Sequence, residues 1–261
     1  MHLHSIRALV TRPKHQAGPL TRAIRRYQGM AWELPMLEII PIEESQSMRD
    51  TVLSLDEFRK IIVTSPNAAR FALELIDRYW PQLPLYTDWY AVGAGTAKIL
   101  SDYGINATQP TEGSNSEALL EMAALKAVND EKVLIIKGQG GRKLLKESLQ
   151  KKGANVSCLE TYFRQPPDYS ATALPHLLES NGINVILCSS GDTLKNLINY
   201  LPERFFNVFY KLWLVIPGNR VAAIARQSGF NNIVIAKGAD LDSQLIALEA
   251  VQKKIEHTSC K

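Results

Sequence analysis

Tyr162 stands beside Arg164 in an extended, proline-ended stretch, Leu159-Glu160-Thr161-Tyr162-Phe163-Arg164-Gln165-Pro166-Pro167. A phenol with an ordinary pKa of about 10 can pass a proton to a leaving oxygen. It can equally pack into a core, and the residue taken alone favours packing. A second chemistry recurs along the chain in seven turns, each between a short apolar run and a helical pattern. They are Thr11-Arg12-Pro13, Thr64-Ser65-Pro66-Asn67, Gly93-Ala94-Gly95-Thr96, Lys137 to Arg142, Ser189-Ser190-Gly191-Asp192, Pro217-Gly218-Asn219-Arg220 and Lys237-Gly238. Small, hydroxylic and glycine residues at a helix start present backbone N–H groups and the positive helix end, a cradle for anions. Arg12, Lys137, Arg142 and Arg220 add charge. Capping hydroxyls occur at any such turn, so one says little; the repetition points to an anionic ligand.

Other chemistries fail on inspection. A dinucleotide GxGxxG would need glycine where Lys98 and Lys143 stand, and no P-loop, GxSxG, HExxH or kinase signature is present. His2 and His4 could bind metal but suit a free amino terminus better, and His15 suits a helix surface. Cys158, Cys188 and Cys260 are odd in number and form no CxxC pair, which argues against a disulfide framework or zinc site and for a reducing compartment. Cys188, at a strand end, reads either as a nucleophile or as a small buried residue, and the second suits it better. Net charge is +4, a mild excess that favours anionic ligands, but the basic residues are dispersed without interleaved aromatics, so a nucleic-acid surface is not indicated. No apolar run approaches the roughly 18 residues of a membrane span, and the start lacks a signal-peptide core. A cytoplasmic protein is expected.

The turns need scaffolding to hold them. Short Val/Ile/Leu runs alternate with amphipathic segments, with strands expected at Arg7–Thr11, Lys60–Thr64, Trp89–Gly93, Lys132–Lys137, Val185–Cys188, Leu212–Pro217 and Ile233–Ala236. Apolar strands each followed by a helix imply parallel sheets covered on both faces. Ser65 is placed as an N-cap with Pro66 opening the helix, Asn115 or Ser116 caps another, and a terminal amphipathic helix begins at Asp240. The second half also echoes the first. Lys60-Ile61-Ile62-Val63 aligns with Asn184-Val185-Ile186-Leu187 and Ala91-Val92-Gly93 with Val215-Ile216-Pro217, a shift of about 124 residues; Ala8-Leu9-Val10 aligns with Val133-Leu134-Ile135. That period is far too long for a solenoid and signals a duplicated domain.

Two proline-punctuated stretches break the rhythm, so the chain should cross between lobes twice. The expected organisation is a discontinuous first domain (1–36 plus 168–261), connecting strands at 37–42 and 159–167, and a second domain at 43–158. The fold class is α/β: two similar parallel-sheet lobes, flavodoxin-like or doubly wound, joined by a two-stranded linker, with function in the cleft between them.

Several of these turns occur in a recognisable order: Val10-Thr11-Arg12-Pro13, Val63-Thr64-Ser65-Pro66-Asn67-Ala68, Ala91-Val92-Gly93 with Thr96-Ala97, Ser116-Glu117-Ala118-Leu119-Leu120, Lys137-Gly138 with Gly141-Arg142, Tyr162 with Arg164, Cys188-Ser189-Ser190 and Ala239-Asp240. The ordered set, from about Arg7 to Ala250, resembles the uroporphyrinogen-III synthase family. The resemblance implies two α/β lobes, no metal or organic cofactor, and cyclisation of linear hydroxymethylbilane with loss of water and inversion of ring D. It also implies that Tyr162 is the acid and that Thr64, Ser65, Thr96 and Ser189 bind the acetate and propionate groups. Turn chemistry adds Arg12, Lys137, Gly138, Ser190, Gly218, Asn219 and Arg220 as candidate carboxylate-binding positions. The sequence departs from the family pattern at Cys188, where Thr or Ser is frequent, at Pro217-Gly218-Asn219-Arg220, where a glycine turn ends in Thr-Ala, and at Lys137, where Arg is frequent. A monomer is expected, with transient contact to the preceding pathway enzyme. The alternatives are a non-catalytic two-lobed binder of a small polyanion and, behind it, a nucleotide-dependent oxidoreductase.

Overall fold

A computed structural model describes residues 1–111, 113, 115–141 and 143–259, with the backbone alone for 258 and 259. The chain opens with β1 (Arg7–Val10), α1 (Lys14–Arg26) and β2 (Met30–Glu33). A middle series follows: β3 (Glu38–Pro41), α2 (Gln46–Leu53), β4 (Lys60–Val63), α3 (Pro66–Ile76), β5 (Asp88–Ala91), α4 (Ala94–Asp102), β6 (Ala107–Thr108), α5 (Ser116–Leu120), β7 (Lys132–Gly138), α6 (Leu144–Lys151) and β8 (Asn155–Gln165). It closes with α7 (Ala173–Asn181), β9 (Val185–Leu187), α8 (Gly191–Asn199), α9 (Phe206–Phe209), β10 (Trp213–Pro217), α10 (Asn219–Gln227), β11 (Ile233–Ala236) and α11 (Leu241–Ser259). The chain divides into two units, Met1–Glu38 with Gln165–Lys261, and Ile39–Arg164. No helix among the described residues is long and apolar enough to cross a membrane.

In the first unit the strand order is β2-β1-β9-β10-β11, and each neighbouring pair is parallel. Its strands separate two apolar layers. Ala8, Val10 and Val185 pack under α1 and α11, while Leu9, Ile186 and Leu214 pack with Leu194, Leu197 and Phe209. In the second unit the order is β3-β8-β7-β4-β5-β6. β4 is buried at every position, as a parallel strand covered on both faces requires.

The echo along the sequence becomes an identity of position in the sheets. β4 aligns with β9, β5 with β10 and β7 with β1, and the second sheet's β8-β7-β4-β5-β6 has the order of the first sheet's β2-β1-β9-β10-β11. Each unit therefore has the same switch point, between β1 and β9 in one and between β7 and β4 in the other.

Local chemistry sets the helix starts. Ser65 Oγ accepts the Ala68 N–H at 3.1 Å and Pro66 occupies the first helical position of α3. Asn115, not Ser116, caps α5 through its Oδ1. The stretch 159–167 is mostly sheet. β8 runs beside β7 in register from Lys132↔Asn155 to Lys137↔Glu160, and the strand ends at Gln165, just before Pro166 and Pro167. The first proline-rich stretch supplies β3 at the sheet edge, where Pro41 removes no needed ladder bond.

Candidate active site

The register of β7 and β8 slips at its end: Gly138 pairs with Tyr162, leaving Thr161 as an extra residue. A bulge of this kind bends the strand and re-aims the side chains after it. Here it directs the Tyr162 ring back over Gly138, while the Gln139 N–H donates to the Tyr162 carbonyl at 2.6 Å. The ring lies so close that a Cβ on Gly138 would stand 2.5 Å from Tyr162 Cζ. Tyr162 is 1% exposed and packs against Phe71 of α3, ring centroids 6.1 Å apart. The packing expected of it is thus real, yet its hydroxyl is not lost in the core. The oxygen lies 3.1 Å from Ser65 Oγ and accepts from Arg164 Nη2 at 3.0 Å, with the guanidinium 5.5 Å from the ring centroid.

These groups border a cavity of about 350 Å³ beyond the carboxyl ends of β4 and β7. That is the second unit's switch point, where doubly wound sheets bind ligands because the flanking helices leave in opposite directions. Thr64, Ser65, Lys137, Gly138 and Tyr162, all anticipated from sequence, line it together. Thr64 Oγ1 donates to the Ile136 carbonyl at 3.1 Å, and Lys137 Nζ lies 3.3 Å from Glu160. Arg164, Ser116, Lys146 and Cys158 complete much of the lining. The contact from Arg164 to the phenol was within reach of sequence reasoning, since residues two apart on a strand share a face. Lys146 and Cys158 gave no such signal. The result is a small chamber with one phenol and three cationic side chains, suited to an anionic ligand that needs a proton.

The other anticipated residues lie elsewhere. Thr96, 3% exposed in the first turn of α4, does not line this cavity. Arg142 lies outside the described residues. In the first unit, side chains at the matching switch point bond to the protein itself. Thr11 Oγ1 donates to the Leu187 carbonyl at 2.7 Å and sits 3.6 Å from Cys188 Sγ. Cys188 is fully buried, and burial pushes its thiol up to about 12, so it is neutral at ordinary pH and not a nucleophile. Arg12, read from the sequence as a candidate carboxylate-binding cation, is turned inward. It is 8% exposed, its guanidinium donates to the Ala239 carbonyl, and its Nε is buried with no hydrogen-bond partner among the described residues. Burial lowers its pKa, and nearby Asp240 opposes that shift. Arg12 therefore pins the turn before α11.

Ser190 caps α8, accepting the Thr193 N–H at 3.1 Å, and Ser189 Oγ lies 3.5 Å from Thr193 Oγ1. Gly218 caps α10 with φ +82°, a left-handed conformation that glycine adopts without strain. Asn219 and Arg220 follow it, exposed in the first helical turn. Among the described residues, no three His, Cys, Asp or Glu side chains are grouped closely enough to hold a metal ion.

The chain matches the family model described as uroporphyrinogen-III synthase HemD over residues 18–245. It is 30% identical over 246 residues to the uroporphyrinogen-III synthase of Salmonella typhimurium, covering 92% of this chain and 99% of that one. The Escherichia coli enzyme of the same name is 30% identical over 247 residues, with the same coverage. In fold, the chain is similar to a mutant uroporphyrinogen III synthase from Thermus thermophilus, with TM-score 0.65, 17% identity, and 95% and 99% of the two chains covered. It is also similar to the Helicobacter pylori uroporphyrinogen-III synthetase, with TM-score 0.58, 15% identity, and 94% and 99% covered.

Proposed function

This chain belongs to the uroporphyrinogen-III synthase family, and on that premise we propose that it is a cyclising hydro-lyase acting on linear hydroxymethylbilane. The observation that carries the reading is the Tyr162 hydroxyl at the switch-point cavity, bracketed by Ser65 and Arg164. Departure of the bilane's hydroxyl needs a proton. As the carbon–oxygen bond breaks, its electron pair stays on oxygen and the Tyr162 proton completes a molecule of water. The azafulvene left behind is an electrophile. Attack on it through the substituted carbon of ring D gives a spiro-pyrrolenine, whose opening and reclosure invert that ring. The ring proton lost at closure returns to the phenolate, so the phenol is restored.

Most of the rate then comes from holding the two ends of a flexible, eight-carboxylate chain in the geometry for that attack. Lys137 and Lys146 are suited to acetate and propionate groups by charge, and the backbone N–H groups at the helix starts by hydrogen bonding, while Thr64 would bind one by turning its hydroxyl away from the Ile136 carbonyl. We extend the same role to Thr96 and to the turns carrying Ser189, Ser190, Gly218, Asn219 and Arg220. Ser65 Oγ already meets the Ala68 N–H and the Tyr162 hydroxyl, so its part is with the phenol. The reading includes a cytoplasmic monomer that receives its labile substrate by transient contact with the preceding enzyme. The free thiols of Cys158 and Cys188 suit a reducing compartment.

The test supplies enzymatically generated hydroxymethylbilane and separates the product isomers by chromatography. Uroporphyrinogen III is expected, and uroporphyrinogen I alone, the spontaneous product, would refute the reading. For the acid itself, Tyr162→Phe should lower kcat by about 100-fold or more, and unchanged turnover would refute that role.

A further inference from the structure

The Tyr162 oxygen has one proton and two directions in which it can accept. Arg164 fills one of them without ambiguity, because a guanidinium can only donate, and its Nη2 stands 3.0 Å away. Ser65 Oγ, at 3.1 Å, could either give or receive. On the α3 side Ser65 Oγ accepts the Ala68 N–H, which leaves its own proton free to be given to the phenol oxygen.

We infer that Arg164, completed by Ser65, is a positioning residue that donates to the Tyr162 oxygen and turns the phenolic proton into the cavity. The inference rests on the reading of Tyr162 as the acid. It adds two things to that reading. Before proton transfer, both acceptor directions of the oxygen are filled from the protein side, leaving the proton nowhere to go but the cavity. After transfer, the phenolate faces two donors, one of them charged, and such bonds are about twice as strong as neutral ones. The bulge is what makes this possible. Thr161 takes up the extra residue, so the phenol lies over Gly138, and the guanidinium two positions later on the same face meets its oxygen. Arg164 is exposed outside this contact, so replacing it leaves the core of the second unit intact. Ser65→Ala would also strip the α3 cap, so Arg164 carries the test.

Steady-state kinetics with enzymatically generated hydroxymethylbilane compare Arg164→Gln, Arg164→Lys, Tyr162→Phe and the Tyr162→Phe/Arg164→Gln pair. Arg164→Gln should lower kcat by about tenfold with KM changed less than about twofold. Arg164→Lys, which keeps one charged donor, should recover part of that loss. On the Tyr162→Phe background Arg164→Gln should add nothing, because no phenol oxygen remains to position. A raised KM with unchanged kcat would make Arg164 a carboxylate ligand and overturn the inference. An equal loss of kcat on both backgrounds would overturn it too, while leaving Tyr162 as the acid. Parental turnover in Tyr162→Phe alone would remove the acid and the inference together.

Discussion

Gly138→Ala isolates the geometry on which the site depends. Gly138 does not have a positive φ, so alanine meets no backbone strain there and the effect is steric. The new methyl group would lie 2.5, 2.7 and 2.9 Å from three Tyr162 ring carbons. Carbon atoms rest at about 3.5–4.0 Å, so the ring must retreat by about 1 Å. It has little room to do so, being 1% exposed and packed on Phe71. A shift of that size stretches the 3.0 and 3.1 Å contacts of the hydroxyl to about 4 Å, beyond hydrogen-bonding range. Overpacking costs about 1–3 kcal/mol, and the two lost hydrogen bonds add about 1 kcal/mol each, giving a destabilisation of about 3–5 kcal/mol. Misplacing a catalytic group by about 1 Å lowers kcat by up to about 100-fold. Urea unfolding followed by circular dichroism reads the first quantity and turnover of hydroxymethylbilane the second. On a Tyr162→Leu background, where the ring is gone, Gly138→Ala should cost less than about 0.5 kcal/mol. Parental stability and turnover in the single variant would refute the steric argument.

Four further outcomes are expected. Cys188 should resist iodoacetamide at pH 8 while half-buried Cys158 is modified, as read by mass spectrometry of the native protein. Because the folded thiol is raised to about 12, its unfolded form ionises first, so stability falls with rising pH above about 9, by about 1.4 kcal/mol per pH unit. Cys188→Ala should remove that slope from the alkaline limb of an unfolding titration, and an identical slope would contradict the burial argument. Glu44 accepts from Tyr79, Arg49 and Arg78, and these bonds hold its carboxyl below the ordinary 4.5. Its contribution is present above pH 4.5 and lost as pH falls through the lowered value, so Glu44→Gln should flatten that part of the acid unfolding curve. Asp240 Oδ1 accepts the Ser243 N–H at 2.8 Å at the start of α11, and Asp240→Ala should cost about 0.5–2 kcal/mol in urea unfolding, with no loss marking the cap as idle.

The sequence by itself determined what depends on neighbours along the chain. Apolar runs such as Ile61-Ile62-Val63 pointed to strands buried on both faces, and Ser65-Pro66 to the start of a helix, because side-chain period and cap chemistry are local. The long-period echo already carried the equivalence of the two sheets. Tertiary structure decided what the same residue types do once folded. Arg12 and Lys137 are both cations in strand-end turns, yet one is turned inward onto the Ala239 carbonyl and the other borders a cavity. Ser65 was legible as a cap but not as a partner of Tyr162, ninety-seven residues away. The phenol's placement rests on a one-residue slip between β7 and β8, which no local pattern records, because a bulge is a property of two strands and not of either one.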